Sequence, residues 1–328
     1  MNTAAPTTSE TPAPPKAEKS RHAGIDLFRW FAFIAVVCIH TATMGGDVSM
    51  MAGRLSRWAV PLFFMASGYF IGPRIDDLGV IWRSTKRIAP LFLVWVLVYL
   101  VVRDTWPETV KQWQDLLING GAGFHLWYLP SLLSCIAVLA LLRRWLDWPV
   151  VLGIAGAVFV GGLAFGSYSG LLDLNQRVWN PRNGPIFGLI FVTLGAWIAV
   201  TKPVIPLRWA ALAFALFLIA DVAERLWLAT TGPTYIDFTV STLFVGVAAF
   251  LTARAWDGQP FARWNLDILG RYSFGMYAMH MLFLYGIHKH FHPKGPTEWV
   301  WTVLATITLA TLTTLALSRV PVVKRYVQ

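Results

Sequence analysis

Ten stretches of this chain, each 17 to 22 residues long, are apolar enough to sit in a bilayer: 24–44, 56–72, 87–103, 126–142, 149–166, 184–200, 207–223, 235–253, 271–288 and 297–318. A hydrocarbon core about 30 Å thick is crossed by roughly 20 apolar residues of helix. The pattern therefore predicts an all-α fold, a polytopic integral membrane bundle of about ten transmembrane helices. The second stretch contains Pro61 and Gly68, which neighbouring helices must accommodate. A chain with 56% hydrophobic and 13% charged residues is also outside the range of an ordinary soluble domain. Cys38 and Cys135 both fall inside apolar stretches, so neither a disulfide framework nor a cysteine-ligated metal site has the residues it needs.

Residues 1–22, rich in Ala, Pro, Thr, Ser, Glu and Lys, bury too little apolar surface to offset ordering entropy and read as a disordered cytoplasmic tail. No small-residue cleavage site follows the first stretch, so it reads as a retained helix rather than a signal peptide. The transmembrane domain is expected over 23–320, with a second cytoplasmic tail over 321–328. The formal charge of +10 lies in short basic clusters between apolar stretches, as topology and anionic headgroups require, which argues against nucleic acid as a partner. With the N-terminus inside, seventeen Lys and Arg fall in cytoplasmic segments and nine in outer ones, which predicts both termini in the cytoplasm of a multi-pass cell (inner) membrane protein.

Two ionisable residues interrupt the first stretch, Arg29 and His40. They are eleven residues apart, about three helical turns, so both share one face at a spacing of roughly 16 Å. Such residues are costly in a membrane and mark function by default. Asp26, three residues before Arg29, is placed to pair with it. In the assigned orientation Arg29 is near the cytoplasmic side and His40 in the outer half. Snorkelling to the headgroups is the plain alternative for Arg29. An interhelical hydrogen bond is the plain alternative for His40. A neutral imidazole in a low-dielectric site can take the proton of a hydroxyl, which makes His40 the candidate general base.

Gly24-Ile-Asp-Leu-Phe-Arg29 with His40, Val60-Pro-Leu-Phe-Phe-Met-Ala-Ser-Gly-Tyr-Phe70, Arg83-Ser-Thr-Lys-Arg-Ile-Ala-Pro90, His125-Leu-Trp-Tyr-Leu129, Arg182-Asn-Gly-Pro-Ile-Phe-Gly188 and Tyr272-Ser-Phe-Gly-Met-Tyr-Ala-Met-His280 follow one another in order. Together they resemble the bacterial acyltransferase-3 family of integral membrane acyltransferases, which modify surface and exported glycans, from about residue 22 to about residue 320. The resemblance implies acyl-coenzyme A as co-substrate, acetyl by default, delivered from the cytoplasm to a hydroxyl of a glycan or its lipid-linked precursor. It implies an O-acetyltransferase with His40, Arg29 and Asp26 at the catalytic centre. The family often shows two arginines three apart before its third helix, whereas Arg83 and Arg87 are four apart.

Arg83, Lys86 and Arg87 are the candidates for the phosphates of coenzyme A, although the positive-inside rule also explains them. For the acceptor the candidates are Trp127, Arg182, Asn183 and His280. The plain readings are an interfacial anchor for Trp127, headgroup contact for Arg182 and a packing bond for His280. His288, His290 and His292 read as a solvated outer loop, and no metal is expected. Asp221, Glu224, Arg225 and Asp237 read as solvated helix ends. No phosphate loop, Rossmann glycine pattern or GxSxG elbow is present. Membrane lipid, an oligomeric partner and polysaccharide-biosynthesis proteins are the partners such a chain would meet. The alternative from another class is a transporter or flippase without acyl-transfer chemistry, since buried charge and proline-interrupted helices also suit a permeation path.

Overall fold

The computed structural model describes residues 22–174, 181–231, 236–257 and 267–327, with side chains omitted for 267–269. Residues 1–21 of the expected tail, and Asn180 near the expected acceptor site, lie outside the described residues. All regular structure among the described residues is helical. Each of the ten apolar stretches coincides with a helix: α1 (Ala23–His40), α3 (Ala59–Ile71), α4 (Gly79–Arg103), α6 (Tyr128–Arg143), α7 (Trp148–Phe165), α8 (Pro185–Thr201), α9 (Leu207–Ala229), α10 (Val240–Trp256), α11 (Asp267–Phe291) and α12 (Pro296–Leu317). Three short helices lie between or after them: α2 (Gly46–Leu55), α5 (Val110–Asn119) and α13 (Pro321–Val327). Among the described residues five helical segments are long and apolar enough to cross a membrane: α1, α4, Val110–Arg143, α7 and α12. Helices α8 and α10 are apolar but shorter, and α3 has only 13 residues.

The centre of the bundle is where α3 meets α8. Gly68 packs on the backbone of Val192, and Gly195 packs on the backbone of Met65, so a methyl group at either position would collide with main chain. The small-residue contact lets the two backbones touch, a packing mode on which helices in lipid depend. Phe64, Phe191 and Phe250 fill the core around this seam. A second cluster, with Trp95, Tyr99, Leu126 and Met279, joins α4 and α11 to the 3-10 segment Gly121–Trp127.

Both ends of the domain depart from loose tails. His22 was expected in the disordered segment, yet its Nδ1 lies 2.9 Å from the Asp257 carboxylate, which also accepts from the Gly24 backbone N–H at 2.7 Å. That carboxylate holds the first turn of α1 against the end of α10. Residues from 321 form α13, whose Tyr326 carbonyl accepts from Trp95 Nε1 at 3.0 Å and whose Val327 is buried.

Two further expectations are corrected. Asp221 and Arg225 are buried rather than solvated: Arg225 Nε donates to Asp221 at 2.8 Å, and its Nη groups reach Thr242 and the carbonyls of Ile236 and Asp237. Thr239 and Thr242 donate to the same carboxylate at 2.7 and 2.6 Å. The four-residue spacing puts acid and base on one face of α9, which packs on α10 and removes both from water. Glu224 accepts from the Val240 and Ser241 N–H groups at the start of α10. His288 and His290 lie on the last turn of α11 rather than in a loop.

Candidate active site

A cavity of about 870 Å3 runs through the bundle, and helix α1 forms one wall of it. Arg29 and His40 both face it, as the eleven-residue spacing on one helix face requires. Around Arg29 the wall adds Arg74 in the 3-10 turn Gly72–Arg74 after α3, Arg87 on α4 and Arg271 on α11. The last three are exposed and form a cationic mouth. Arg57, Arg182, His125, Trp127 and Asp237 line the opposite end, where His40 sits. Six arginines and one aspartate among the lining residues make this a positive channel through apolar walls.

Each side chain is placed by identifiable contacts. The Arg29 guanidinium meets Asp26 at 3.3 Å, and Asp26 rests against Gly270 of α11, where any side chain would strike the carboxylate. His40 ends α1. The next residue, Thr41, bonds back to the Val37 carbonyl at 2.9 Å and accepts from Trp299 Nε1 at 2.9 Å, which fixes that helix end. The 3-10 segment carrying His125 and Trp127 is strapped by tyrosines: Tyr285 donates to the Ala122 carbonyl at 3.0 Å and Tyr277 to that of His125. Arg182 precedes α8 on a turn whose Gly184 has φ 61 and ψ −148, and the Gly184 N–H donates to Ser131 at 2.9 Å. Its guanidinium lies 3.6 Å from Asp237 and 5.7 Å from the Trp127 ring centroid. Asp237 is presented by the backbone that Arg225 grips, so the buried α9–α10 network braces this wall.

His40 has two imidazole neighbours. The rings of His40 and His280 are 5.3 Å apart between centroids, His125 and His280 5.0 Å, and His40 and His125 6.4 Å. His125 is 1% exposed and His280 0%. His40 is the least buried of the three and opens to the cavity.

Four of the residues expected to hold coenzyme A or acceptor do not line this space. Arg83 points away and pairs with Asp77 at 2.7 Å on an exposed turn. That bond, with the Gly79 N–H, holds the Asp77 carboxyl below the ordinary carboxylate range. Lys86 stacks over the Trp82 ring at 4.5 Å, also on the exterior. A helix turns about 100° per residue, which takes Lys86 off the face of Arg87, whereas Arg83, one turn earlier on nearly that face, is kept out by its bond to Asp77; of the basic run only Arg87 lines the cavity. Asn183 bonds to the Asn119 side chain of α5. His280 lies behind His40 rather than on the wall. Trp127, Arg182, Arg29 and His40 do line the cavity. Arg57 and Arg74 were missed as site residues, because a cation at the edge of an apolar stretch reads equally well as a headgroup contact, and Arg271, at a cytoplasmic helix end, was explained by the positive-inside rule alone.

A profile for an acyltransferase domain, acyltransferase 3, matches residues 22–319. The chain belongs to the acyltransferase-3 family. Curated relatives of this family member include the serine/alanine racemase of Enterococcus gallinarum, 26% identical over 300 residues, which covers 82% of this chain and 42% of the relative. An amino-acid racemase of Enterococcus faecalis is 27% identical over 239 residues, covering 64% of this chain and 34% of the relative. The chain therefore spans less than half the length of these relatives. No solved structure matches.

Proposed function

We propose that this acyltransferase-3 domain moves an acyl group, acetyl by default, from cytoplasmic acyl-coenzyme A to a hydroxyl of a surface or exported glycan or its lipid-linked precursor. The observation that carries the reading is one cavity with a cationic mouth at Arg29, Arg74, Arg87 and Arg271 and a cavity-facing imidazole, His40, at its far end. Coenzyme A is anionic through its phosphates and long through its pantetheine arm. Guanidinium groups at the mouth suit the phosphates by charge-assisted bonds. The three turns of α1 between Arg29 and His40, roughly 16 Å, suit an extended arm that delivers the thioester to the imidazole.

In this mechanism His40 removes the proton of the acceptor hydroxyl, and the oxygen attacks the thioester carbonyl. The carbon–sulfur bond breaks and the thiolate leaves with the proton. Arg29, held by Asp26, anchors the donor rather than the reacting carbonyl, because it is too far from His40 to serve both. Arg182 and Trp127 offer a cation and a ring face to the acceptor. The ten apolar stretches lie in the inner membrane in this reading, with both chain ends in the cytoplasm. The seventeen-to-nine distribution of Lys and Arg supports that orientation.

Full-length protein in lipid nanodiscs, given labelled acetyl-coenzyme A and a panel of neutral and acidic glycosides, tests the reading. Label on the glycoside, lost in His40→Ala, supports it. A cavity charged from end to end also favours a second reading, translocation of an anionic solute. Solute flux into vesicles without thioester turnover would replace the first reading with the second.

A further inference from the structure

His125 and His280 each bond through only one nitrogen, and each partner is a backbone carbonyl of α11. His125 Nε2 lies 3.3 Å from the Ala278 carbonyl, and His280 Nδ1 bonds to that of Tyr277. A carbonyl oxygen only accepts, so those two nitrogens carry the protons. The remaining nitrogens, Nδ1 of His125 and Nε2 of His280, are therefore bare acceptors in the neutral rings. Both are buried and have no hydrogen-bond partner. A buried acceptor with no donor costs stability that an apolar ring of the same shape would not. Of the two rings His280 is nearer His40, at 5.3 Å between centroids against 6.4 Å.

We infer that His280 is a positioning residue for His40: its bare Nε2 receives the N–H of His40 that points away from the cavity. The inference rests on the acyl-transfer reading of the site. The rings already approach at 5.3 Å between centroids, close to the spacing of an imidazole–imidazole hydrogen bond, and His40, edge-on to Phe124 at 5.2 Å and open to the cavity on its other side, has only its ring to turn to make it. Holding that N–H on one nitrogen leaves the other bare for the acceptor hydroxyl, so His280 selects the reactive tautomer. When His40 takes the hydroxyl proton, the same contact steadies the imidazolium through the life of the step. No proton passes to His280. The proton lifted from the hydroxyl leaves with the thiolate as the new carbon–oxygen bond replaces carbon–sulfur. Phe33, buried on α1, packs edge-on to His280 at 6.3 Å and keeps the ring from swinging away. The Tyr277 carbonyl fixes its rotation from the other side.

Two substitutions separate positioning from packing. His280→Phe keeps a ring of similar size without an acceptor, and His280→Gln restores an acceptor oxygen. With full-length protein in nanodiscs, acetyl-coenzyme A as donor and octyl glucoside as acceptor, His280→Phe is expected to lower kcat by about 100-fold. Its KM for acetyl-coenzyme A and its melting temperature stay near wild type, and His280→Gln recovers about tenfold of the lost kcat. Wild-type kcat in His280→Phe overturns the inference and leaves acyl transfer standing. Equal losses in both variants with a lowered melting temperature overturn it in favour of packing. No thioester turnover by the wild-type protein removes the acyl-transfer reading and this inference with it.

Discussion

Two buried polar clusters stand at the same end of the bundle, and they are built in opposite ways. Around Arg225 every hydrogen-bonding group is matched: a carboxylate, two hydroxyls and two carbonyls surround one guanidinium. Around His40 two imidazoles keep a bare nitrogen in the dry interior. A matched network resists change, since its members have nothing further to gain from a new partner. An unmatched one has capacity in reserve, and capacity next to an open cavity is where a proton can be handled. Charge in a membrane interior is thus of two kinds, and satisfaction of its partners tells them apart better than depth does.

The sharpest way to break the contrast is to remove one member from each cluster. His40→Ala should lower acyl transfer by about 1,000-fold, within the range of a lost general base, with little change in melting temperature. Arg225→Ala should do the reverse. It leaves Asp221 charged and unpaired in the interior, a loss of about 3–5 kcal/mol in stability, read as a large fall in melting temperature, with activity per folded molecule retained. If Arg225→Ala abolished turnover in protein that remained folded, the contrast would collapse, because the brace behind Asp237 would then belong to the chemistry.

The mouth of the cavity sharpens the comparison at smaller amplitude. Arg87→Gln should raise KM for acetyl-coenzyme A by about tenfold, the value of one charge-assisted bond, with kcat unchanged, and the effect should shrink at high salt. Arg83→Gln, only four residues away, should change KM by less than about twofold, since its partner Asp77 is on the exterior. The Arg83–Asp77 pair also gives a pH control. The folded carboxyl sits below its ordinary value, so the contact is fully present above that ordinary value and is lost as pH falls through the depressed one. Acid should therefore erase any stability difference between wild type and Arg83→Gln.

Much of this was legible in the sequence. The ten helices follow from apolar length, because a segment that must satisfy its own backbone in lipid has little freedom to be anything else. The shared face of Arg29 and His40 follows from helix periodicity. What could not be read was which cations turn inward. Arg83, Lys86 and Arg87 look alike as a basic run, but Lys86 lies about a quarter-turn off the face of Arg87, and Arg83, one turn earlier, is drawn outward by Asp77. Asp221 and Arg225 looked like a helix end because the apolar stretch 207–223 closes around them, whereas α9 continues to Ala229. His280 reads as a candidate for the acceptor or as a packing bond, and its relation to His40 exists only once α1 and α11 are packed together. The three short helices were hidden for the opposite reason: their amphipathic stretches are too short to register as membrane segments.

The seam between α3 and α8 carries a mechanical consequence. With Gly68 and Gly195 bringing main chain onto main chain, the two helices form a stiff keel that cannot slide by a fraction of a turn without striking peptide groups. In the proposed reaction the two substrates arrive from opposite sides of a membrane, and each must still get in and out. The yielding parts then have to be the planks fastened to the keel from the other side of the cavity, α4 and α11, and a crosslink between those two would stall turnover where one between α3 and α8 would pass unnoticed.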